Sequence, residues 1–309
     1  MKIEYLSASR LNVYVECGFR YFLQYHLKLP ELRQPTIHTS KGSAVHEALD
    51  MFVKGEKDYQ AQLIKYYQEH EVWKLDSRPE GKGFPHPQPK SCETCPWAVV
   101  TMGGDKPVCS IAGKFITDVE GCPRGNFEDD LELTRKTLFR ENSPLKRKII
   151  GSEIPFTQEW EGFRVHGYID LVTEIDENTV EVIDYKTGNY AKNTDEAFKD
   201  LQMRIYSLVV KRMFPQYKYV MMTLDYLRKS PVSVIFSPED DEKTRKFLQD
   251  VYKKIQEDED PKRVKSFKCN WCIGYDECSK IRERFIKDGK FRLPEPTKEA
   301  APTEEESAD

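Results

Sequence analysis

Two aspartates and a lysine fall within the stretch 163–186, where their types and spacing could support metal chemistry. Asp170 lies in an apolar-alternating run over 163–172, and Asp184 and Lys186 lie in a second run over 179–186. Both runs are rich in β-branched and aromatic residues and flank a polar turn at 176–178, which predicts a β-hairpin. Because side chains alternate between the faces of a strand, Asp184 and Lys186 project to the same side.

This hairpin allows two interpretations. Carboxylates on both arms, with a lysine beside them, can bind a hard divalent cation and hold a water molecule next to it. An acid–lysine pair is equally common on the solvated face of an ordinary strand. The hairpin alone does not decide between a cation site and a solvated face.

The eight cysteines form a second group of candidate ligands. One spacing pattern occurs in the set Cys92, Cys95, Cys109 and Cys122. Two residues separate the first pair, and thirteen and twelve residues separate the later ones, as in a four-cysteine zinc site. An iron–sulfur cluster is the second interpretation of these four thiols, and two disulfides are the third.

The remaining cysteines lie near the two ends of the chain. Cys269, Cys272 and Cys278 would leave a tetrahedral metal or a cluster one ligand short. Cys17 is the one further cysteine outside the first set, so as a fourth ligand it would join the chain ends. Closing so long a loop costs entropy that grows as about (3/2)RT ln n, so a bound metal would stabilise the fold. A structural zinc and an iron–sulfur cluster both suit these ligands.

Composition narrows the class of protein. A chain of 309 residues forms one large domain or two smaller ones, and a net charge of −4 gives no global basic field for nucleic acid, although a local patch is what matters. No apolar run approaches the roughly 18 residues of a membrane span, and residues 1–5 lack a signal-peptide shape. We therefore expect a cytoplasmic protein with no membrane partner, in which close-spaced cysteines bind metal. The chain has no glycine-rich phosphate loop, so we expect no nucleotide cofactor.

Apolar periodicity predicts the elements that position these residues. We expect helices at 9–28, 42–53, 58–75, 128–142, 194–213 and 238–257. We expect strands at 148–159, 162–174, 179–187, 218–228 and 232–237. Residues 30–41 are predicted to form a loop. The proline- and glycine-rich residues 77–127 are predicted to form an insert that a metal stabilises in place of a core.

Four motifs then occur in a fixed order along the chain. They are Gly42-x-x-x-His46, Gly167-Tyr168-Ile169-Asp170, Asp184-Tyr185-Lys186-Thr187-Gly188 and Gln202-x-x-x-Tyr206. Together they resemble the RecB-type branch of the PD-(D/E)XK nucleases. The segments 7–11 and 17–22 are similar to the start of the iron–sulfur members, which include the AddB nuclease domain and the CRISPR-associated RecB-like nucleases. The resemblance covers most of residues 5–285, whereas the four-cysteine insert is not part of the family pattern.

The resemblance implies an α/β fold with a restriction-endonuclease-like core, in which helices flank a mixed central sheet. Together with the composition of the insert, it divides the chain into an N-terminal helical part of the nuclease domain (1–76), the insert, which we expect to bind metal (77–127), and the nuclease core with a C-terminal cysteine clamp (128–292). A disordered acidic tail would follow at 293–309. The clamp would hold a [4Fe–4S] cluster through Cys17, Cys269, Cys272 and Cys278.

The resemblance also implies roles at the hairpin. Asp170, Asp184 and the backbone carbonyl of Tyr185 would bind Mg²⁺ or Mn²⁺. His46 would add a softer ligand that favours manganese. Lys186 would orient or deprotonate the attacking water.

Three further residues are candidates around that centre. Gln202 and Tyr206 lie four residues apart on one helix face, where the resemblance implies that they position the site or the DNA strand. Glu153, on the preceding predicted strand, is either an outer metal ligand or a solvated strand acid.

These roles predict a metal-dependent DNA nuclease, most compatible with an exonuclease on single strands or duplex ends. It would serve recombination, repair, phage DNA processing or CRISPR adaptation, with a helicase, recombination or CRISPR protein as partner. The alternatives are a non-catalytic DNA- or partner-binding subunit and a structural subunit of a helicase–nuclease machine. The presence of Asp170, Asp184 and Lys186 favours catalysis over both.

Overall fold

The structure is a computed structural model that describes residues 1, 3, 5–32, 35–75, 95–100, 107–115, 123–160 and 162–294. Its α-helices are α1 (Ala8–Glu16), α2 (Gly18–Tyr21), α3 (Ile37–Lys54), α4 (Tyr59–Glu69), α5 (Arg124–Phe139), α6 (Thr194–Phe198), α7 (Leu201–Met213), α8 (Pro238–Glu257) and α9 (Tyr275–Glu283). Its strands are β1 (Ala98–Val100), β2 (Pro107–Cys109), β3 (Lys114–Phe115), β4 (Lys148–Trp160), β5 (Phe163–Asp176), β6 (Thr179–Lys186), β7 (Tyr219–Tyr226), β8 (Val232–Ile235), β9 (Ile286–Lys287) and β10 (Lys290–Phe291).

The largest sheet of the described residues has five strands in the order β4-β5-β6-β7-β8. β4, β5 and β6 pair antiparallel, β6 and β7 pair parallel, and β7 and β8 pair antiparallel. The fold is therefore α/β with a mixed central sheet flanked by helices, as predicted, and it is consistent with a restriction-endonuclease-like core. The predicted hairpin is β5 and β6.

Two layers of packing cover the sheet. On one face, β5 and β6 pack with α1, α7 and α8 in the main core. On the other face, a smaller cluster joins Leu171, Ile183 and Tyr185 of the sheet to Val45 and Leu49 of α3. β6 is buried on both faces because it lies between two strands and two helical layers.

The predicted helix at 9–28 is wrong as a continuous element. Cys17 has extended backbone angles, with φ −161° and ψ 103°, which end α1, and its sulfur caps α2. A π-helix follows at Phe22–His26. The helix predicted at 194–213 is also divided, because the side chain of Asp200 caps a new helix, α7.

The predicted loop at 30–41 is wrong over its second half. α3 begins at Ile37 because Thr36 and Thr39 cap it reciprocally, the side chain of each accepting from the backbone of the other. Similarly, α5 begins at Arg124, before the predicted start at 128. By contrast, α8 spans Pro238–Glu257, as predicted.

The insert has more structure than the sequence suggested. β1, β2 and β3 form a small antiparallel sheet. Ile111 and Ala112 are buried against Tyr67 of α4 and Phe127 of α5, so the expectation of an insert without a core is wrong for its described part. Cys95 precedes β1 and Cys109 ends β2. Cys92 and Cys122 lie outside the described residues, as does 295–309, which holds most of the predicted tail.

No helix within the described residues combines the length and the apolar character that a membrane span requires.

Candidate active site

The two central strands β5 and β6 separate at Asp170, and this gap in the sheet is called the opening below. The ladder between β5 and β6 runs from Asp176–Thr179 to Leu171–Ile183 and stops there, although β5 continues to pair with β4. Ile169 packs in the main core, whereas Leu171 packs with the cluster around α3. These two side chains therefore lie on opposite faces of the sheet, and Asp170 stands between them. The Asp170 carboxylate lies at the opening, where its Oδ2 accepts a 2.7 Å hydrogen bond from the backbone N–H of Tyr185.

His46 reaches the same opening from α3. Its Nε2 is 3.0 Å from the carbonyl oxygen of Tyr185, and its Nδ1 is 3.4 Å from Asp170 Oδ2 and 4.0 Å from Glu153 Oε1. If Nε2–H donates to the carbonyl, a neutral ring presents a bare lone pair at Nδ1 to two carboxylates. Such an arrangement is stabilised by a cation or by an added proton.

A further residue, Asp50, holds the helix that carries His46 against the sheet and was not identified from the sequence. Asp50 lies one helical turn after His46, on the same face of α3. It accepts a 2.5 Å hydrogen bond from Ser152 Oγ, which fastens α3 to β4. Its spacing of four residues from His46 is the sequence feature that could have identified Asp50.

Glu153 of β4 has an unusual backbone. Its φ is 44°, in the left-handed region that a non-glycine residue adopts at a cost of about 1–3 kcal/mol. Burial, followed by the negative charge of Asp170, raises the pKa of Glu153 to about 7. Ligand atoms of His46, Glu153 and Asp170 all lie within 4.8 Å of one another. The position of Glu153 therefore favours a ligand over a solvated strand acid.

Asp184 and Lys186 lie beside this group on β6. Asp184 is 4% exposed, and burial raises its pKa to about 6. Lys186 Nζ lies 2.5 Å from Asp184 Oδ2 and donates a 3.1 Å hydrogen bond to Gln202 Oε1. Burial by itself lowers the pKa of Lys186, but the Asp184 carboxylate raises it above its ordinary value. The lysine is therefore cationic at neutral pH.

The Gln202–Tyr206 pair comes from the first turns of α7. Gln202 Nε2 donates to the hydroxyl of Tyr206 at 3.3 Å, and the tyrosine ring stands edge-on to Phe156. Gly167 permits this packing, since a Cβ there would lie 2.7 Å from Phe156 Cζ and 3.3 Å from the Tyr206 hydroxyl. Gly167, the glycine of the second motif, therefore allows α7 to pack closely against β5.

The donor set suits Mg²⁺ or Mn²⁺. Carboxylates, a backbone carbonyl and one imidazole are the ligands that these ions accept. Asp184 Oδ2 is buried with the ammonium group of Lys186 2.5 Å away, and a carboxylate keeps further lone pairs for a cation beside that contact. Asp184 nevertheless lies outside the three-residue group formed by His46, Glu153 and Asp170.

The four cysteines outside the insert line one cavity, although they come from both ends of the chain. They are Cys17, Cys269, Cys272 and Cys278, and none of them forms a disulfide. Burial raises the pKa of Cys272 and raises that of Cys278 to about 11. A metal that binds these thiols must therefore displace protons.

Polar donors surround the same cavity. The backbone N–H groups of Arg20 and Val264 each lie 3.4 Å from Cys17 Sγ. The guanidinium atoms Arg20 Nε and Arg263 Nη1 are buried without an acceptor among the described residues, and both arginines line the cavity. Anionic sulfur would supply the acceptors that these donors lack.

The PD-(D/E)XK nuclease superfamily matches residues 5–91 and 124–278 of the chain. The matched ranges leave out most of the insert and contain every residue of the candidate site. Among curated proteins, none matches the sequence significantly.

Two solved structures are similar to the chain. One, described as a "putative exonuclease" from Eubacterium rectale, has 12% identity and a TM-score of 0.50 and covers 92% of this chain and 90% of its own. At this identity the likeness shows the fold alone. The other, SSO0001, has 12% identity and a TM-score of 0.28 and covers 55% of this chain and 72% of its own, a likeness too weak to inform the fold.

Proposed function

The chain belongs to the PD-(D/E)XK nuclease superfamily, and from this premise we propose that it is a metal-dependent deoxyribonuclease with its catalytic centre where the sheet opens at Asp170. One observation carries the proposal. His46, Glu153 and Asp170 converge within 4.8 Å of one another, with the Asp184–Lys186 pair on the neighbouring strand.

We assign metal binding to His46, Glu153, Asp170, Asp184 and the carbonyl of Tyr185. When bound, Mg²⁺ or Mn²⁺ supplies a more acidic water and neutralises charge on the phosphate in the transition state. Asp170 also bonds the N–H of Tyr185, so the acid and the carbonyl are held in one arrangement.

Lys186 acts as a donor in this proposal. Because Asp184 keeps it cationic, Lys186 orients the attacking water and stabilises the phosphate oxygens by charge. Gln202 fixes the ammonium group from the other side, and Tyr206 in turn accepts from Gln202. A chain of hydrogen bonds therefore connects α7 to the reacting centre.

We propose DNA as the substrate, cleaved from single-stranded or duplex ends. The description of the Eubacterium rectale relative supports exonuclease action, and the family implies DNA. A helicase, recombination or CRISPR protein would supply the strand.

We further propose that Cys17, Cys269, Cys272 and Cys278 hold a [4Fe–4S] cluster. Tetrahedral zinc binds sulfur at about 2.3 Å, which places four sulfurs within about 4 Å of one another. Among the described residues, no three cysteine sulfurs lie within 4.8 Å of one another. This spacing favours an iron–sulfur cluster, which is wider than a single zinc ion. The insert would hold zinc through Cys92, Cys95, Cys109 and Cys122.

The test of this function is degradation of end-labelled DNA by anaerobically purified protein in Mn²⁺ or Mg²⁺. Wild type is compared with Asp184→Asn and with Asp250→Asn, an exposed acid of α8 that serves as the control. We expect activity in wild type and the control and its loss in Asp184→Asn. Equal degradation by all three would contradict the assignment. Labels at the 5′ and 3′ ends give polarity and separate exonuclease from endonuclease products.

A further inference from the structure

A cavity of about 480 Å³ lies away from the catalytic centre, between the tip of the β4–β5 hairpin and the helices α7 and α8. Phe163 lines it and Asp170 marks the centre, and the seven residue-to-residue steps from one to the other along β5 span about 23 Å at a rise of about 3.3 Å per residue. A small ligand in the cavity would therefore touch none of the metal-binding residues.

One wall of the cavity is aromatic and held in place. Trp160, at the end of β4, lines it together with Phe163 and Leu208. The indole Nε1 donates to Gln158 Oε1 at 3.0 Å, and Gln158 Nε2 donates to the carbonyl of Val209 at 3.1 Å. Because this chain of hydrogen bonds fastens the indole to α7, its ring is a preformed surface for stacking.

The rim of the cavity carries two accessible guanidinium groups. Arg212 donates to the backbone carbonyl of Glu159 at 2.9 Å and forms no ion pair with the described residues. Arg245 pairs with Glu242 at 3.3 Å, but both side chains are more than half exposed, and such a pair is readily exchanged for another anion.

Four further charged groups form two ion pairs around this rim. Lys211 is neutralised by Asp241 at 2.7 Å. The carboxylate of Glu159 is exposed and lies 3.6 Å from Arg164. One unbalanced positive charge therefore remains at Arg212, and Arg245 adds a second when a ligand anion replaces Glu242, on a chain whose total charge is −4. A local basic patch beside an aromatic wall is typical of proteins that bind single strands.

We propose that this cavity binds a nucleoside phosphate unit of single-stranded nucleic acid, with the base against Trp160 and the phosphates at Arg212 and Arg245. The inference rests on the proposed function, since it adds a second contact for the strand that the catalytic centre cleaves. At about 3.4 Å per nucleotide, a strand of about seven nucleotides reaches from one site to the other. The ligand is the 3′ or 5′ remainder of that strand or a free nucleotide.

The test measures binding of fluorescent dT6 and dT20 in EDTA, so that the result does not depend on hydrolysis. The double variant Arg212→Gln/Arg245→Gln is compared with wild type and with Lys243→Gln/Lys254→Gln, which removes the same charge from residues of α8 that do not line the cavity. We expect the first double variant to bind dT20, which spans both sites, about tenfold more weakly, and to lose less affinity for dT6, which reaches one site at a time. Its plot of log affinity against log salt should become shallower by about 1.4, for two phosphate contacts of about 0.7 each.

A free-nucleotide arm uses dTMP and the tryptophan fluorescence of wild type and Trp160→Phe. Quenching by dTMP that the variant lacks identifies a nucleotide site, whereas quenching by dT20 alone identifies a strand site, and both support the proposal. Equal dT20 binding by wild type and the cavity variant, or an equal loss in the lysine control, overturns it. Hydrolysis of dT6 by the cavity variant tests the proposed nuclease separately.

Discussion

The backbone N–H of Tyr185 donates a 2.7 Å hydrogen bond to Asp170 Oδ2 at the residue where β5 and β6 separate. The carbonyl of the same residue lies 3.0 Å from His46 Nε2. Tyr185 therefore connects the acid of one strand to the histidine of α3 through its backbone alone. Its side chain packs on α3, so substitution there would affect the core more than the backbone contacts with Asp170 and His46.

Lys186 should be required for the chemical step. Lys186→Met removes the ammonium group between Asp184 Oδ2 and Gln202 Oε1 and leaves a buried carboxylate without its counter-charge. We expect the single-turnover rate on end-labelled single-stranded DNA to fall by about 10²–10⁴. Lys186→Arg, which keeps the charge but changes the geometry, should retain intermediate activity. Full activity in Lys186→Met would exclude a catalytic role for this residue.

Gln202 and Tyr206 should differ in their effect on the rate. Gln202 contacts Lys186, so Gln202→Ala loses a bond to a charged group, worth about 1.5–3 kcal/mol, or roughly 10- to 150-fold in rate. Tyr206→Phe removes only the acceptor for Gln202 and should cost about fivefold, the effect of about 1 kcal/mol. The pair is compared by kcat at saturating DNA. A larger loss in Tyr206→Phe would place the tyrosine, and not Gln202, next to the substrate.

Much of the central sheet could be predicted from the sequence because its strands are long and strongly patterned. β6 and α8 carry clear periodicity, and both occur where the sequence predicts them. The motif order also identified the residues that meet at the opening of the sheet, since Asp170 and His46 approach to 3.4 Å.

Other features depend on tertiary contacts and leave no periodic signal. The end of α1 at Cys17 reflects an extended backbone that α-helical patterning does not reveal. Strict alternation along β5 would place Ile169 and Leu171 on one face, yet they pack on opposite faces because the sheet divides between them. The left-handed backbone of Glu153, which lies on β4 opposite Asp170 of β5, could not be predicted from residue type.

His46 should set the preference between metals. His46→Asn replaces an imidazole by a harder amide oxygen, so the ratio of the rates in Mn²⁺ and in Mg²⁺ should fall. The variant also loses the contact between Nε2 and the Tyr185 carbonyl, and activity in both metals should decline. Rates over a series of metal concentrations check this, with His38→Asn on α3 as a matched histidine outside the site. An unchanged ratio would exclude His46 as a ligand.

Cys278 should be needed for iron but not for zinc. Cys278→Ser removes one sulfur from the cavity that joins the chain ends, so iron content and visible absorbance should be lost. Because a bound group stabilises only the folded state, the melting temperature should also fall. Cys95→Ser, in the insert, is the converse variant and should lose zinc while keeping iron. Metal analysis of both proteins gives the answer, and zinc lost from Cys278→Ser would assign zinc to the chain ends.

Asp130 should make stability depend on pH near neutrality. It is buried beside α4, where its Oδ2 accepts a 2.7 Å hydrogen bond from Tyr67, and burial raises its pKa from 3.8 to about 7. Between these values the folded protein holds a proton that the unfolded chain has released. The free energy of unfolding should therefore fall as pH rises, by up to about 1.4 kcal/mol per unit, and level off above pH 7.

Asp130→Asn removes this titration, so its stability relative to wild type should improve from pH 5 to pH 8 in urea unfolding. The neighbouring Asp129 is the matched control, because a hydrogen bond from Arg228 lowers its pKa to about 2. Asp129 is ionised in both states above about pH 5, so the cost of Asp129→Asn should be constant over that range. A cost that is equally constant for Asp130→Asn would show that Asp130 is already ionised in the folded protein at pH 5.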